Sequence, residues 1–575
     1  MHKLWPGLLV PAMFFTMIDR SSPDDPPPSQ RLKPAPYRSG RSVVMAPYGM
    51  MATSQPLAAQ VGLEILRKGG NAVDAAIAAN AAIGLMQPMS CGIGGDLYAI
   101  VWDARTQKIY GLNASGRSPY RTSRSLFREK GLKEIPQTGP LSWSVPGCVD
   151  GWAELNKRFG NMTLADILSP SIVYAEQGFP VSEVIARGWK SAVKILKKYP
   201  DSTNTYLPSG DAPRPGDVFK NPYLGKTYRA IAQGGRDAFY KGDIAATIVR
   251  YSEQNGGLFG LKDFADHTST WVEPVSSTYR GYEVWEIPPP GQGIAVLEML
   301  NILERYDLKK MGPLSADYWH LFIEAKKLAY ADRARFYADP DFAKLPVAEL
   351  ISKEYAVRRA KLIDLNKARV EVPPGDPKLE TGDTIYLTVV DKDRNCVSLI
   401  QSNYQNFGSG MVPGDLGFAL QDRGALFALD DKHLNRLEPH KRPFHTIIPS
   451  LVTKNGKPWF VFGVMGGDMQ PQGQVEVLVN LIDFGMNVQE AGEAPRLEHI
   501  GSATPTGRPA DPKGGTVRAE RGISPEIIAE LTRRGHQVKS VPRNGGGYQG
   551  ILIDPATGML HGGSEYRLDG CAVGY

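Results

Sequence analysis

Two glycine-rich patterns in this chain contain residue types that bind phosphate or nucleotides in other proteins. Residues 545–550 read Gly-Gly-Gly-Tyr-Gln-Gly, which fits the G-x-G-x-x-G form of a dinucleotide loop. A strand pattern follows them where that fold requires a helix, so we interpret them as a glycine turn. Residues 225–227, Gly-Lys-Thr, lack the first glycine of a phosphate loop. Neither pattern predicts a nucleotide cofactor.

The sequence also lacks the usual metal and triad signatures. Asp391, Asp393 and Asn395 resemble the start of a calcium loop, but Cys396 stands where the turn glycine belongs and Ser402 where the bidentate glutamate belongs. The nine histidines show no metal-ligand spacing, and neither H-E-x-x-H nor G-x-S-x-G occurs. We therefore expect no metal ligands and no cofactor.

The composition excludes several classes of protein. Of 575 residues, 42% are hydrophobic and 22% charged, which is typical of globular proteins and excludes a disordered chain or a multi-span membrane protein. The formal net charge is +6, without a Lys/Arg block, so nucleic acid is not a predicted partner. The four cysteines are scattered, which predicts neither a zinc site nor a disulfide framework.

The N-terminal 42 residues differ from the rest of the chain. The run 4–18 is mostly apolar and shorter than the roughly 18 residues of a spanning helix, which fits the apolar region of an export signal. No clear cleavage site follows it, and a disordered start is the alternative. Residues 21–41 are rich in Pro, Ser and charge and read as a linker. We expect export to the periplasm or the medium, with a cytoplasmic location as the alternative.

The pattern from residue 43 onward predicts a mixed fold. Apolar periodicity and end signals predict helices over 57–68, 72–86, 164–177, 294–305, 318–337 and 475–484. Strands are predicted over 384–390, 396–402, 447–453, 459–463 and 548–554, and Asn455-Gly456 suits a type I′ hairpin turn between two of them. Strands and helices come in runs, which favours a layered α+β fold over a doubly wound sheet.

A set of ordered blocks shows a family resemblance. The blocks are 49–60, 67–77, 92–96, Gly382-Asp383-Thr384, 407–410, 441–443 and Gly466-Gly467. In these blocks the chain resembles the γ-glutamyltransferase (glutathione hydrolase) family of N-terminal-nucleophile hydrolases. The resemblance extends from about residue 43 to residue 575.

The resemblance implies a four-layered αββα fold and a precursor that cuts itself between Asp383 and Thr384. The fragments 43–383 and 384–575, preceded by segment 1–42, would stay together as a heterodimer. A threonine hydroxyl needs a nearby base, and an N-terminal threonine supplies its own α-amine, with a pKa of about 7.7–8.0. Taken without the resemblance, Gly-Asp-Thr before a strand is common turn chemistry.

The resemblance assigns further roles near the nucleophile. Gly466 and Gly467 occupy the place of the family's oxyanion hole, where backbone N–H groups can approach a substrate closely. Ser402 matches a hydroxyl residue that hydrogen-bonds the nucleophile. The alternatives are a plain strand-to-helix turn and an ordinary serine at a strand end.

The predicted substrate pocket departs from the well-known γ-glutamyltransferases. Leu426 stands where those enzymes place an Asp that holds the substrate's α-amino group. Arg423 replaces a Gln, Tyr404 replaces an Asn, and His445-Thr446 replaces a Ser-Ser pair. These departures resemble the acylase-like branch of the family, because a glutaryl group is a γ-glutamyl group without its amine.

Two arginines are candidates for binding the substrate carboxylate, since a guanidinium forms paired hydrogen bonds with a carboxylate. Arg117 lies two positions out of register with the family's arginine, and Arg423 lies in the departing segment. For each, a surface or structural ion pair is the alternative.

Three functions therefore compete. The first is an amidase or transferase that acts on γ-glutamyl amides such as glutathione. The second is an acylase that removes glutaryl-like groups, and the third is a non-catalytic homologue. The expected partners are a small γ-glutamyl or glutaryl amide and the chain's own two fragments.

Overall fold

The computed structural model describes residues 39–370 and 383–575, with only the backbone of Asp383. Of the predicted N-terminal segment, it describes residues 39–42. Within these ranges, no helix is both long and apolar enough to cross a membrane. The apolar run 4–18 lies outside the described residues, so export stays a prediction.

The secondary structure of the described residues confirms a mixed fold. The strands are β1 (Val44–Ala46), β2 (Met50–Thr53), β3 (Asp96–Asp103), β4 (Lys108–Ala114), β5 (Phe179–Pro180), β6 (Val218–Phe219), β7 (Thr270–Val272), β8 (Val275–Tyr279), β9 (Tyr282–Glu286), β10 (Asp383–Val390), β11 (Cys396–Tyr404), β12 (Ser450–Lys454), β13 (Lys457–Val464), β14 (Leu497–Ile500), β15 (Thr516–Glu520), β16 (Val538–Val541), β17 (Tyr548–Ile553), β18 (Leu560–Ser564) and β19 (Cys571–Gly574). The helices are α1 (Pro56–Arg67), α2 (Ala72–Met86), α3 (Arg124–Glu129), α4 (Cys148–Phe159), α5 (Leu164–Gln177), α6 (Glu183–Leu196), α7 (Pro200–Tyr206), α8 (Pro222–Tyr240), α9 (Asp243–Gln254), α10 (Leu261–Ala265), α11 (Ile294–Leu303), α12 (Leu308–Met311), α13 (Ala316–Phe336), α14 (Val347–Leu350), α15 (Lys353–Ala360), α16 (Met469–Ile482), α17 (Val488–Glu493) and α18 (Pro525–Arg533).

Two antiparallel seven-stranded sheets form the centre of the fold. One has the order β19-β2-β10-β11-β3-β4-β7, and the other has the order β1-β18-β17-β13-β12-β9-β8. Each sheet combines strands that precede residue 384 with strands that follow it. The two predicted fragments are therefore interleaved within both sheets, although the domain boundary itself stays a prediction.

Four layers result because each sheet is apolar on both faces. In β10, Ile385, Leu387 and Val389 join the core that contains α1 and α2, whereas Tyr386 and Val390 join the core between the sheets. On the far side, α11, α13 and α16 share a core with β13. Successive side chains of a strand point to opposite faces, which explains this division. The predicted αββα fold class is confirmed.

Most predicted elements are present with small differences at their ends. Asn71 caps α2 with a capping box, and Asn455 and Gly456 take φ values of 52° and 73° in the β12–β13 turn. The helix predicted over 475–484 begins earlier, at Met469. Its first turn contains Gln470, Pro471 and Gln472, and proline is tolerated in the first turn of a helix. The apolar run used for the prediction therefore covered only the later turns of α16.

We expect Gly463→Ala to destabilise the contact between the two sheets. A Cβ at Gly463 in β13 would lie 2.5 Å from Cε2 of Tyr386, which is fully buried. Overpacking of this kind costs about 1–3 kcal/mol. Chemical unfolding of the variant should show this loss, while the control Gly40→Ala, with nothing within 4 Å of its new Cβ, should unfold like the parent. Equal stability of the two variants would contradict the described contact.

Candidate active site

Thr384 lies at an irregularity near the start of β10. Asp383 pairs with Tyr404 of β11, and the register then shifts before Ile385 pairs with Gln401. A β-bulge re-aims the side chain at its position. The Thr384 side chain is 2% exposed, and its Oγ1 donates a hydrogen bond to Ser402 Oγ at 3.3 Å. The structure thus brings the predicted nucleophile and the predicted hydroxyl partner together.

Ser402 is held by the backbone that follows it. Its Oγ accepts the N–H of Tyr404 at 2.8 Å. Tyr404 has a φ of 79°, which is uncommon for a residue other than glycine. This local turn fixes the hydroxyl that faces Thr384.

Gln470 also reaches the nucleophile, and the sequence analysis missed it. Its Nε2 lies 3.5 Å from Thr384 Oγ1, and its Oε1 accepts the N–H of Ile448 at 3.0 Å. Gln470 is the second residue of α16 and follows Gly466-Gly467 closely. A polar residue at the start of a helix after a glycine pair was the only signal that could have pointed to it.

Gly466 and Gly467 form the turn between β13 and α16. Their φ values, 115° and 56°, lie in the region that favours glycine. A Cβ at Gly466 would also lie 2.9 Å from the backbone nitrogen of Gly546. Within the described residues, the N–H groups of the pair donate to no protein acceptor. They are therefore available to a developing oxyanion, and that role stays a prediction.

Arg423 lies in a short 3-10 helix, Arg423–Leu426, and is fully buried. Its Nη1 donates to Thr446 Oγ1 at 2.6 Å, and its guanidinium lies 4.9 Å from the ring centre of Tyr404. Burial lowers the pKa of this guanidinium. Its Nε and Nη2 have no hydrogen-bond partner in the described part of the chain. Two other predicted substrate-binding residues, Tyr404 and Thr446, thus contact this incompletely paired cation.

His445 completes this group from the opposite side. Its Nε2 lies 2.9 Å from Asp96 Oδ2, and its ring stacks on Tyr98 at 4.9 Å between centres. Burial, followed by the charge of Arg423, lowers the pKa of His445 to about 4. The imidazole is therefore neutral at neutral pH and adds no second positive charge beside Arg423.

Arg117 belongs to a different cluster. Its Nη1 donates to the Thr268 carbonyl at 3.2 Å, and its Nη2 lies 3.9 Å from Asp341 Oδ2. In the described ranges, no hydrogen bond or ion pair joins it to Thr384 or Arg423. Its role in substrate binding stays a prediction.

A cleft of about 380 Å³ opens beside Thr384. Thr384 and Gly466 line it together with Gly545, Gly546 and Gly547. The interpretation of these three glycines as a turn between strands agrees with their place between β16 and β17. Their position at the nucleophile depends on strand pairing that the sequence does not display.

One group of side chains in the described ranges has ligand types that bind metals. His320, Glu324 and His536 are buried within 4.8 Å of one another. However, His320 Nδ1 and His536 Nε2 are 2.8 Å apart, and Glu324 Oε1 accepts from Lys327 Nζ at 2.8 Å. The two histidines are therefore partners of each other, and Glu324 is the partner of Lys327. None of the predicted site residues belongs to the group.

The contacts around Thr384 form a closed ring that suits acyl transfer. The ring passes from Thr384 through Ser402 and Tyr404 to Arg423 and Thr446. It continues through Gln292, whose Nε2 donates to the carbonyls of both Thr446 and Gly467 at 2.6 and 2.9 Å. Gln470 closes the ring, because its backbone N–H donates to the Gly467 carbonyl at 3.2 Å and its Nε2 lies 3.5 Å from Thr384 Oγ1. One network of contacts thus connects a hydroxyl, a glycine turn with free N–H donors and a cation.

Comparisons with known proteins identify the family of the chain. The sequence profile of the family described as gamma-glutamyltranspeptidase matches residues 58–575. The glutathione hydrolase-like YwrD proenzyme of Bacillus subtilis (strain 168) is 38% identical over 532 residues, which cover 91% of this chain and 98% of that protein. The glutathione hydrolase proenzyme of Escherichia coli (strain K12) is 33% identical over 551 residues, which cover 92% and 93%.

A solved structure matches along nearly the whole chain as well. The cephalosporin acylase of Bacillus halodurans has a TM-score of 0.86 at 43% identity, and the match covers 94% of this chain and 98% of that one. With the profile match over residues 58–575, this places the chain in the γ-glutamyltranspeptidase family of N-terminal-nucleophile hydrolases.

Proposed function

We propose that this protein is an autoprocessed amidase of the γ-glutamyltransferase type, with Thr384 as its nucleophile. Thr384 Oγ1 attacks the amide carbonyl of the substrate, and the acyl group then passes to water or to an amine. The contacts of Thr384 with Ser402 and Gln470, and the free N–H groups of Gly466 and Gly467, support these roles.

Maturation supplies the base for this reaction. In the uncleaved chain the nitrogen of Thr384 is part of a peptide bond and cannot accept a proton. The hydroxyl first attacks the carbonyl of Asp383, which converts the peptide bond to an ester, and water then hydrolyses the ester. The freed α-amine has a pKa of about 7.7–8.0 and can accept the hydroxyl proton.

The fragments would remain together after this cleavage. β10 lies at the start of the second fragment. It pairs with β11 along one edge and with β2 of the first fragment along the other edge. β11 likewise pairs with β3 of the first fragment. Separation would break these ladders and expose the core between the sheets, which supports a heterodimer.

Arg423 is the observation that supports the substrate class. A buried guanidinium with unpaired donors costs free energy, because burial removes water without providing acceptors. A carboxylate can accept from two guanidinium nitrogens at once. A dicarboxylic acyl group, attached by one carboxyl as the amide, would bring its other carboxylate to Arg423.

A second candidate function is removal of glutaryl groups that lack an α-amine. Leu426, at the place of the family's amine-binding acid, is fully buried and belongs to an apolar core. The similarity to the cephalosporin acylase of Bacillus halodurans favours the same candidate. Turnover of γ-glutamyl and glutaryl anilides by one enzyme preparation distinguishes the two: the efficiency ratio between them assigns the preferred acyl group.

Thr384→Ala should remain one chain and be inactive, because the hydroxyl serves both cleavage and catalysis. The parent protein should give two fragments on a denaturing gel, and the smaller should begin at Thr384 by N-terminal sequencing. Thr384→Ser should still cleave, since it keeps the hydroxyl. An unprocessed parent chain that hydrolyses amides would rule out the α-amine as base.

Arg423→Gln should lower kcat/KM for glutaryl and γ-glutamyl anilides by about 10- to 100-fold, as loss of a charge-assisted hydrogen bond predicts. The pentanoyl anilide has the same chain length without the carboxylate, so its turnover should change little. Arg229→Gln is the control for loss of an arginine charge elsewhere, because Arg229 pairs with Glu176 and is not a predicted site residue. Equal losses on all three substrates would show that Arg423 does not bind the carboxylate.

The activity of the processed enzyme should rise with pH through about 7.7–8.0, because the α-amine acts only when it is unprotonated. Below its pKa, kcat/KM should fall about tenfold per pH unit. This rise of kcat/KM with pH should persist in His445→Asn, because the pKa of His445 is lowered to about 4.

Asp422→Asn is the necessary control for this pH profile. Burial raises the pKa of Asp422 to about 7, close to that of the amine, while its Oδ1 accepts the N–H of Gln405 at 3.0 Å. Asparagine keeps that acceptor and removes the titration. If the rise of kcat/KM with pH is lost in Asp422→Asn, the titrating group is the Asp422 carboxyl and not the α-amine of Thr384.

A further inference from the structure

The cleft beside Thr384 has a strongly one-sided charge. Among its described lining residues are Arg187, Arg543 and Arg567, and there is no Asp or Glu. The charge of Arg567 is already neutralised, since its guanidinium forms ion pairs with Glu520 and with Glu565. The other two arginines are therefore the charges that the cleft presents.

Arg187 and Arg543 are both exposed at the cleft. Arg187 lies on α6, and Arg543 lies in the loop between β16 and β17. Arg543 Nη1 donates to the Arg567 carbonyl at 2.9 Å. In the described part of the chain, no carboxylate forms an ion pair with either guanidinium. Clefts with one sign of charge concentrate ligands of the opposite sign.

The position of this cleft beside Thr384 suits the departure of the leaving amine. The acyl side, around Arg423, is fully buried. Water or an acceptor amine must reach the acyl-enzyme through an open space, and the cleft is an open space that Thr384 lines. An acceptor amine occupies the place that the leaving amine vacated, so both amines contact the same lining residues of the cleft.

We propose that Arg187 and Arg543 form a subsite for a carboxylate on the leaving amine and on the acceptor amine. The proposal rests on the amidase function above. In the reaction the C–O bond to Thr384 forms and the C–N bond of the amide breaks. The α-amine takes the hydroxyl proton and passes it to the leaving nitrogen. The preferred substrate thus has an anionic group at both ends.

Two anilides that differ by one carboxylate test this subsite. The processed enzyme is assayed with the 4-nitroanilide and the 3-carboxy-4-nitroanilide of one acyl group, either glutaryl or γ-glutamyl. The ratio of their kcat/KM values is compared among the parent, Arg187→Gln, Arg543→Gln and the double variant. Comparing ratios cancels the intrinsic difference in reactivity between the two anilides.

We expect the ratio in favour of the carboxylated anilide to fall about 3- to 10-fold in the double variant, the size expected for two partly exposed ion pairs. Added salt should lower the ratio in the parent and leave it unchanged in the double variant. Lys194→Gln is the control, because Lys194 is exposed on the same helix and does not line the cleft. An unchanged ratio in the double variant overturns the subsite.

A binding measurement separates failure of the subsite from failure of the amidase function. The free amines 5-amino-2-nitrobenzoate and 4-nitroaniline are titrated into the processed parent and the double variant. Tighter binding of the anionic amine only in the parent supports the subsite whether or not anilides are hydrolysed. Equal binding of both amines by the parent overturns it. Absence of turnover with every anilide contradicts the amidase function alone.

Discussion

The pairing of β10 on both of its edges is the constraint on which the site depends. β10 pairs with β11 from Ile385 to Val390 and with β2 from Leu387 to Val390. Thr384 lies just before these ladders, at the register shift. Cleavage before Thr384 would detach only the Asp383–Tyr404 pair and leave the ladders from Ile385 onward intact, so the new N-terminus would keep its position opposite Ser402. The strand can therefore be cut before Thr384 without losing its place in the sheet.

Burial lowers the pKa of both basic side chains of the acyl side, but only one of them loses its charge. The imidazole of His445 can lose its charge, and burial together with Arg423 lowers its pKa to about 4. A guanidinium keeps its proton at any physiological pH, so Arg423 remains a cation even though burial lowers its pKa. Tyr404 and Thr446 contact this guanidinium, but they leave its Nε and Nη2 donors without a hydrogen-bond partner in the described residues. The site is thus arranged to gain most from an anionic partner.

The sequence predicted features that depend on neighbouring residues. Asn71 and its capping box, and the Asn455-Gly456 turn, are local interactions whose residue types are visible in the chain. The family resemblance added Thr384 and the roles of its partners. It did not add Gln470, which lies beyond the last of the resembling blocks, Gly466-Gly467, and meets Thr384 only in the assembled fold.

Other parts of the site could not be predicted for the same reason. The pair formed by Asp96 and His445 joins residues 349 positions apart, and nothing near either residue signals it. The glycines 545–547 reach the cleft only because β17 pairs with β13, which ends beside Gly466. Positions set by the pairing of distant strands require the assembled sheets, whereas caps and turns do not.

Gln292 links the two sides of the site through a fixed orientation of its amide. Arg333 is fully buried, pairs with Asp468 at 2.7 Å and donates to Gln292 Oε1 at 2.6 Å. A guanidinium can only donate, so the oxygen of the amide must face Arg333 and the nitrogen must face away. That nitrogen binds the carbonyls of Thr446 and Gly467. The ion pair of Arg333 and Asp468 therefore orients the amide that links Thr446, whose hydroxyl binds Arg423, to the Gly466-Gly467 turn.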